Sequence, residues 1–205
     1  MGDNTLLKAV KGQSSSLPAD TPEQPLNCGG AMPLLGQAAA ISADEWNGVT
    51  FRAGELMDSH KFGCSESVVL SFQEALGREI LPPQAVAIAS AFRGGLGGAG
   101  CLCGALAGGQ IVLGSLFGYH GDADGQQDAE AVKLGRQLSK ELHDRFRDQH
   151  KAVCCRVLTK GLTRGSPEAK AQCAALVRTT ARLAGDIIAR EATANAPKDQ
   201  CAAAD

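Results

Sequence analysis

Apolar residues recur along the middle of the chain at the spacing of amphipathic helices, mostly three or four positions apart. The clearest case lies in residues 126–150, where the apolar positions are Val132, Leu134, Leu138, Leu142 and Phe146. No stretch alternates between apolar and polar residues for long enough to predict a sheet. The pattern therefore predicts an all-α fold, a single compact domain of about six helices.

Local signals set the expected bounds of these helices. Ser42 or Asp44 suits the N-cap of the first helix, and Ser166 followed by Pro167 is typical of the start of the last. A glycine ends the second helix, and a pair of prolines precedes the third. The expected helices span about residues 44–60, 65–77, 84–93, 102–117, 126–150 and 166–191.

The two ends of the chain lack a lasting helical period and are rich in serine, proline, glycine and alanine. We therefore expect residues 1–42 to form a flexible, disordered arm, residues 43–192 to form the helical domain, and residues 193–205 to form a disordered tail. Cys28 and Cys201 lie in these end segments, so we do not expect either cysteine to belong to a functional site.

Charge and hydropathy exclude several classes of function. The formal net charge of −2 gives no basic excess for nucleic acid. No apolar run reaches the roughly 20 residues that a membrane span needs. The N-terminus also lacks the apolar region of a secretory signal peptide. We therefore expect a cytoplasmic protein that neither spans a membrane nor binds nucleic acid.

The chain has eight cysteines, which is the most informative part of its composition. An isolated cysteine is often only a small buried apolar residue. In a reducing compartment, however, clustered cysteines more often bind metal or carry out redox chemistry than form a disulfide framework. The composition therefore favours metal–sulfur or thiol chemistry.

A glycine-rich segment, residues 94–100, separates the third and fourth helices. Its Gly-x-Gly-x-x-Gly spacing matches a dinucleotide-binding turn, and Asp122 follows roughly 20 residues later. That turn belongs to a parallel sheet, and the chain offers no strands to build one. We therefore do not favour nucleotide binding.

We instead expect these glycines to allow close approach to the backbone and to leave N–H groups free to face sulfur. Cys101 and Cys103 are expected in the first turn of the following helix, where its dipole would stabilise a thiolate. Tight helix packing alone is the alternative explanation for the glycines. The glycines expected to contact a cofactor are Gly97, Gly98, Gly100 and Gly104.

Four segments resemble the motifs of a known family. Residues 62–68 read Phe-Gly-Cys-Ser-Glu-Ser-Val around Cys64, and residues 103–108 read Cys-Gly-Ala-Leu-Ala-Gly. Cys155 is followed by Arg-Val-Leu, and Cys173 lies in the last helix. Over about residues 45–190 the chain resembles the redox-active C-GCAxxG-C-C family, which is related to the N-terminal iron–sulfur domain of split-Soret cytochrome c.

The resemblance implies that four cysteines act together as metal ligands: Cys64, Cys103, Cys155 and Cys173. It further implies an electron-transfer protein that binds an iron–sulfur cluster of unspecified type and exchanges electrons with a redox partner protein. The sequence does not decide whether the protein forms a homodimer. The haem-attachment motif Cys-x-x-Cys-His is absent, so no c-type haem is expected.

Two other interpretations stay open, because four thiolates suit zinc as well as an iron–sulfur cluster. One is a zinc-binding structural module without turnover. The other is a metal-free dithiol–disulfide protein that uses pairs such as Cys101/Cys103 or Cys154/Cys155. Cys101 and Cys154 lie outside the four motif positions, and the sequence does not decide whether the protein is an enzyme.

Some polar side chains near the cysteines are candidates for a supporting role. His60 and His120 are placed to tune a nearby thiolate, and Arg156 is placed to stabilise one. His143 and His150 fall on nearly the same face of the fifth helix, among charged residues. We expect that face to meet solvent.

Overall fold

The fold is described by a computed structural model, which covers residue 38, residues 40–118 and residues 129–194. The expected N-terminal arm lies almost entirely outside these residues, as does most of the expected C-terminal tail. Cys28, Cys201, Asp122 and His120 also lie outside them, so the structure does not bear on their expected roles.

The described residues form helices joined by turns and contain no strand, which confirms the all-α prediction. Six helices have eight residues or more, and a seventh is a single turn that carries one of the motif cysteines. None of these helices is both long enough and apolar enough to cross a membrane. In chain order they are α1 (Ala43–Asp58), α2 (Cys64–Leu76), α3 (Pro83–Ser90), α4 (Gly104–Phe117), α5 (Ala129–His150), α6 (Cys155–Leu158) and α7 (Pro167–Ala194).

Side-chain caps fix the starts of α1 and α7 where the sequence predicts them. The Ser42 hydroxyl accepts a hydrogen bond from the Glu45 N–H at 3.3 Å, and the Glu45 carboxylate accepts one from the Ser42 N–H at 2.8 Å. This reciprocal capping box satisfies two amide groups that the helix would otherwise leave unpaired. At the start of α7, the Ser166 hydroxyl accepts from the Ala169 N–H at 3.2 Å.

The helices on either side of the glycine-rich segment are shorter than expected. Helix α3 ends at Ser90 rather than near residue 93, because the chain turns repeatedly over residues 91–99. Helix α4 begins at Gly104, with Cys103 as its N-cap. Cys101 therefore lies in the connecting loop and not in the first turn of α4, as the sequence had suggested.

Helix α4 is at the centre of the fold and packs against α2, α3, α5 and α7. Its glycines allow the neighbouring helices to come close. A Cβ added to Gly108 would lie 2.7 Å from the Ser65 carbonyl oxygen of α2. One added to Gly109 would lie 2.7 Å from the Thr180 side chain of α7. Tight helix packing therefore explains these two glycines.

Helix α5 contributes the apolar stripe that its sequence predicts. Leu134, Leu138, Leu142 and Phe146 are buried, and Val132 is partly buried. Helix α7 packs against α5 and also against α1, α2 and α4, so it closes one side of the core.

One prediction about α5 is wrong. The His150 ring does not simply face solvent: its centroid lies 4.7 Å from that of Phe146, and its Nε2 atom is buried without a hydrogen-bond partner among the described residues. Burial lowers the pKa of His150, which favours the neutral ring. His143 remains partly exposed and contacts the Asp144 carboxylate at 2.9 Å.

Candidate redox site

Three of the four motif cysteines lie at helix starts. Cys64 is the first residue of α2, Cys103 is the N-cap of α4, and Cys155 is the first residue of α6. Cys173 lies in the second turn of α7. Cys103 is buried and the other three are partly buried. The packing of α2, α4 and α7 against one another determines how close these residues come.

The start of α2 is held in place by a charged network. The Glu66 carboxylate accepts a hydrogen bond from the Gly63 N–H and forms an ion pair with Arg93 at 2.7 Å. In addition, the Ser65 hydroxyl donates to the Ala89 carbonyl oxygen of α3 at 2.6 Å. These contacts anchor the turn that presents Cys64.

The structure brings together the four motif cysteines, here called the four-cysteine group: Cys64, Cys103, Cys155 and Cys173. The Cys64 thiol shares a hydrogen bond with Cys173, and the charges of Cys103 and Cys155 also raise its pKa. The charges of Cys155 and Cys173 in turn affect Cys103. Four thiols from distant parts of the sequence are therefore close enough for each to influence the ionisation of the others.

The hydrogen bond between Cys64 and Cys173 shifts the pKa values of the two thiols in opposite directions. It lowers the pKa of Cys173 to about 7. The same hydrogen bond, followed by burial, raises the pKa of Cys64. Without a bound metal, the pair therefore holds its first negative charge on Cys173, with Cys64 as the thiol that donates to it.

Cys103 does not have the lowered pKa that its position suggests. The backbone N–H groups of Leu106 and Ala105 do bond to its sulfur and favour the thiolate. Burial outweighs them and raises the pKa of Cys103 to about 11. Burial is also the main cause of the raised pKa of Cys155, although the nearby Arg164 opposes it. Desolvation therefore dominates over the helix N-terminus.

Two glycines lie directly against the group. A Cβ added to Gly104 would lie 3.5 Å from the Cys64 Cβ and 2.8 Å from the Phe92 carbonyl oxygen. One added to Gly95, where φ is +74°, would lie 2.9 Å from the Cys155 Cβ. Sequence reasoning included Gly104 and missed Gly95, since only the fold brings residue 155 to the glycine-rich segment.

The other three glycines expected at the site have different surroundings. The Gly100 carbonyl oxygen accepts a hydrogen bond from the Arg156 N–H at 3.1 Å, so this glycine contacts the start of α6. A Cβ at Gly98 would lie 3.1 Å from the Arg164 guanidinium group, and one at Gly97 would meet nothing within 4 Å. Of these three glycines, Gly97 is thus the one where an added Cβ would contact none of the described residues.

A second pair of thiols, here called the Cys101–Cys154 pair, lies beside the group. The two sulfur atoms are 3.7 Å apart. The Leu102 N–H, the Cys154 thiol and the charge of Arg156 lower the pKa of Cys101. The hydrogen bond to Cys101 raises the pKa of Cys154. The sequence suggested pairs of near neighbours, Cys101 with Cys103 and Cys154 with Cys155; the close contact instead joins the two segments.

Two basic side chains lie near the cysteines. Arg156 and Arg164 lie against the glycine-rich segment, and neither forms an ion pair within the described residues. Over the same part of the chain, no three histidine, cysteine or acidic side chains are already arranged to hold a single metal ion.

A helical fold with four mutually interacting cysteines beside a glycine-rich loop defines a small cysteine-based protein. The family model described as "Putative redox-active protein (C_GCAxxG_C_C)" matches residues 62–187, a span that contains all four motif cysteines. The chain belongs to this family, as its motifs predicted. Neither a curated protein nor a solved structure matches the chain.

Proposed function

We propose that the chain is an electron-transfer protein in which Cys64, Cys103, Cys155 and Cys173 hold an iron–sulfur cluster. The observation that carries the proposal is the mutual electrostatic interaction of these four thiols, which come from four separate segments. Four cysteine thiolates are the usual ligands of two-iron and four-iron clusters.

The chemistry of the donor set supports this assignment. Burial and mutual repulsion oppose ionisation of Cys64, Cys103 and Cys155 when no cation is present. A cysteine binds a metal as the thiolate. A bound cation would therefore supply the positive charge that lets all four thiols ionise together. Arg156 and Arg164 add positive charge beside the group.

The residues of the chain would tune such a centre. When bound, an iron–sulfur cluster supplies one-electron redox chemistry. The Ala105 and Leu106 N–H groups that bond to the Cys103 sulfur would favour the reduced, more negative form. Burial of Cys103 keeps water from that side. An electron carrier also needs a redox partner protein. Free thiols in all six described cysteines suit a reducing compartment, so we propose the cytoplasm.

A metal-free dithiol–disulfide protein is the second candidate. It is favoured by the Cys64–Cys173 hydrogen bond, which places a thiol beside a sulfur whose pKa is about 7. The Cys173 thiolate could attack an external disulfide, and Cys64 could then displace the second thiol from the mixed disulfide, which leaves a Cys64–Cys173 disulfide and two reduced thiols.

Anaerobic purification of the full chain, followed by analysis of iron, sulfide and zinc, tests the proposal. We expect iron and acid-labile sulfide in similar amounts, with visible absorption that bleaches on reduction. Cys103→Ser should lose them, and Cys201→Ser, which changes a cysteine outside the motifs, should keep them. Zinc without sulfide would replace the proposal with a structural zinc module. No metal, together with a reversible Cys64–Cys173 disulfide, would favour the second candidate.

A further inference from the structure

The Cys101–Cys154 pair is held between two backbone hydrogen bonds. The Cys103 N–H donates to the Val153 carbonyl oxygen at 2.7 Å, and the Arg156 N–H donates to the Gly100 carbonyl oxygen at 3.1 Å. Each of the two cysteines lies between the bonded residues of its own segment. The two segments are therefore tied together on both sides of the pair, and thermal motion of the loop does not easily separate the sulfurs.

The backbone around Cys101 is unusual. Gly100 has a φ of +78°, and Leu102 has a φ of +43°. A left-handed conformation is costly for leucine, so the surrounding structure must impose it. Cys101 therefore lies between two left-handed residues, and its side chain is exposed. Cys154 is only partly exposed.

The pair is distinct from the four-cysteine group. Cys101 and Cys154 interact with each other and with Arg156, and the thiols that affect the pKa of each cysteine in the group are other members of the group. The two sulfur atoms are 3.7 Å apart and are therefore in direct contact. A disulfide would require the two sulfur atoms to move closer, to about 2.05 Å.

We propose that Cys101 and Cys154 form a reversible dithiol–disulfide couple, separate from the four-cysteine group, that reacts with disulfides in solution. The proposal goes beyond the proposed function and does not depend on a bound metal. Cys101 reacts first because it is the exposed member, and Cys154 then resolves the intermediate.

The reaction balances as thiol–disulfide exchange. The Cys101 thiol gives up its proton, and its sulfur attacks one sulfur of a small-molecule disulfide. A mixed disulfide forms, the original S–S bond breaks, and the leaving thiolate takes a proton. The Cys154 sulfur then attacks Cys101, gives up its own proton and displaces the second small thiol. The protein loses two electrons and two protons, and the small disulfide is reduced to two thiols.

Oxidation of the couple would affect the neighbouring four-cysteine group. The new bond would join the same two segments as the two backbone hydrogen bonds, close in sequence to Cys103 and Cys155. It would fix the loop that carries Cys103 to the segment that carries Cys155. The oxidation state of the couple would therefore set how freely these two members of the four-cysteine group move apart.

Glutathione titration of the full chain tests the proposal. The protein is equilibrated without oxygen at increasing ratios of oxidised to reduced glutathione, quenched in acid, alkylated, digested and mapped by mass spectrometry. We expect one cross-linked peptide that joins Cys101 to Cys154, with two fewer alkylated thiols, and we expect reduced glutathione to reverse it. A cross-link between other cysteines, or two thiols that stay fully alkylated in excess oxidised glutathione, overturns the proposal.

Single variants test the order of the steps. Cys154→Ser should accumulate glutathione on Cys101, because the resolving thiol is missing. Cys101→Ser should form no cross-link and should gain glutathione at Cys154 more slowly. Cys201→Ser should behave as the unchanged chain. Faster modification of Cys154 than of Cys101 would contradict the assigned order. If either variant fails to fold, the mapping of the unchanged chain still decides whether the couple exists.

Iron and sulfide measured on the same samples separate this proposal from the previous one. A chain without a cluster that still forms the Cys101–Cys154 cross-link contradicts only the proposed function. A chain that keeps its cluster and leaves both thiols free contradicts only the couple.

Discussion

The Cys64 thiol at the start of α2 and the sulfur of Cys173 in α7 interact so that the pKa of Cys64 is raised and that of Cys173 is lowered. This contact joins two helices that are far apart in sequence and places one ionisable sulfur beside another inside the fold. It also makes Cys173 the first member of the four-cysteine group to ionise, with a pKa of about 7.

The first prediction concerns the reactivity of Cys173 in the metal-free protein. Its alkylation rate should rise with pH around pH 7, since the thiolate is the reactive form and the folded pKa lies below the ordinary value of 9.0. Cys64→Ala removes the donor and should move this rise to higher pH. Alkylation followed by peptide mapping at several pH values measures both.

Cys64→Ser is the matched control, because its hydroxyl can still donate to the Cys173 sulfur. The rise should then stay closer to pH 7 than in Cys64→Ala. Identical pH profiles for the unchanged chain and Cys64→Ala would show that the hydrogen bond does not set the pKa of Cys173.

The second prediction concerns Gly95. An added Cβ would lie 2.8 Å from the Leu102 carbonyl oxygen and 2.9 Å from the Cys155 Cβ, so one of these groups must move. Gly95→Ala should therefore lower the free energy of unfolding by about 2–4 kcal/mol, the sum of an unfavourable φ and an overpacked contact. It should also reduce metal loading at Cys155. Urea denaturation and metal analysis measure these effects.

Gly97→Ala is the control for that substitution. Its φ of +64° carries a similar backbone cost, but an added Cβ would meet nothing within 4 Å in the part of the chain that the structure describes. We expect the free energy of unfolding to fall by only about 1–2 kcal/mol and metal loading to stay unchanged. Equal losses at the two positions would mean that contact with Cys155 is not what requires glycine at residue 95.

The third prediction compares two glycines in α4. Gly108→Ala should destabilise the protein by about 1–3 kcal/mol, because its Cβ would lie 2.7 Å from the Ser65 carbonyl oxygen and press α4 away from α2. Gly114→Ala should stabilise it by about 0.5–1 kcal/mol, since that position is exposed and helical, and an added Cβ would have no neighbour within 4 Å among the described residues. A lower urea midpoint for Gly108→Ala and a higher one for Gly114→Ala would confirm this prediction. A lower midpoint for both variants would contradict it.

The fourth prediction concerns oxidation of the Cys101–Cys154 couple. The two cysteines are 53 residues apart, so a disulfide would close a long loop in the unfolded chain. Chain entropy then predicts a gain of up to about 4 kcal/mol in the free energy of unfolding. Denaturation of the oxidised and reduced chains measures it. Cys154→Ser should show no difference between the two conditions, and a lower stability of the oxidised chain would show that the bond strains the loop.

The sequence predicted the features of this protein that depend on neighbouring residues. The apolar spacing of α5 predicted a helix with one buried face, and Leu138, Leu142 and Phe146 are buried as that spacing requires. Ser42 and Glu45 lie three residues apart, so their capping box can be read from the chain alone. The four motif cysteines were likewise identified from short segments, and the family match contains them all.

Only the tertiary structure decided which thiols meet and how they ionise. The contact of Cys101 with Cys154 depends on two loops that come from different parts of the chain. The pKa of Cys103 depends on a balance between two backbone N–H groups, which local sequence implies, and burial by surrounding helices, which it does not. Local sequence determines hydrogen bonds along a helix, but desolvation and contacts between segments arise only when the helices pack together.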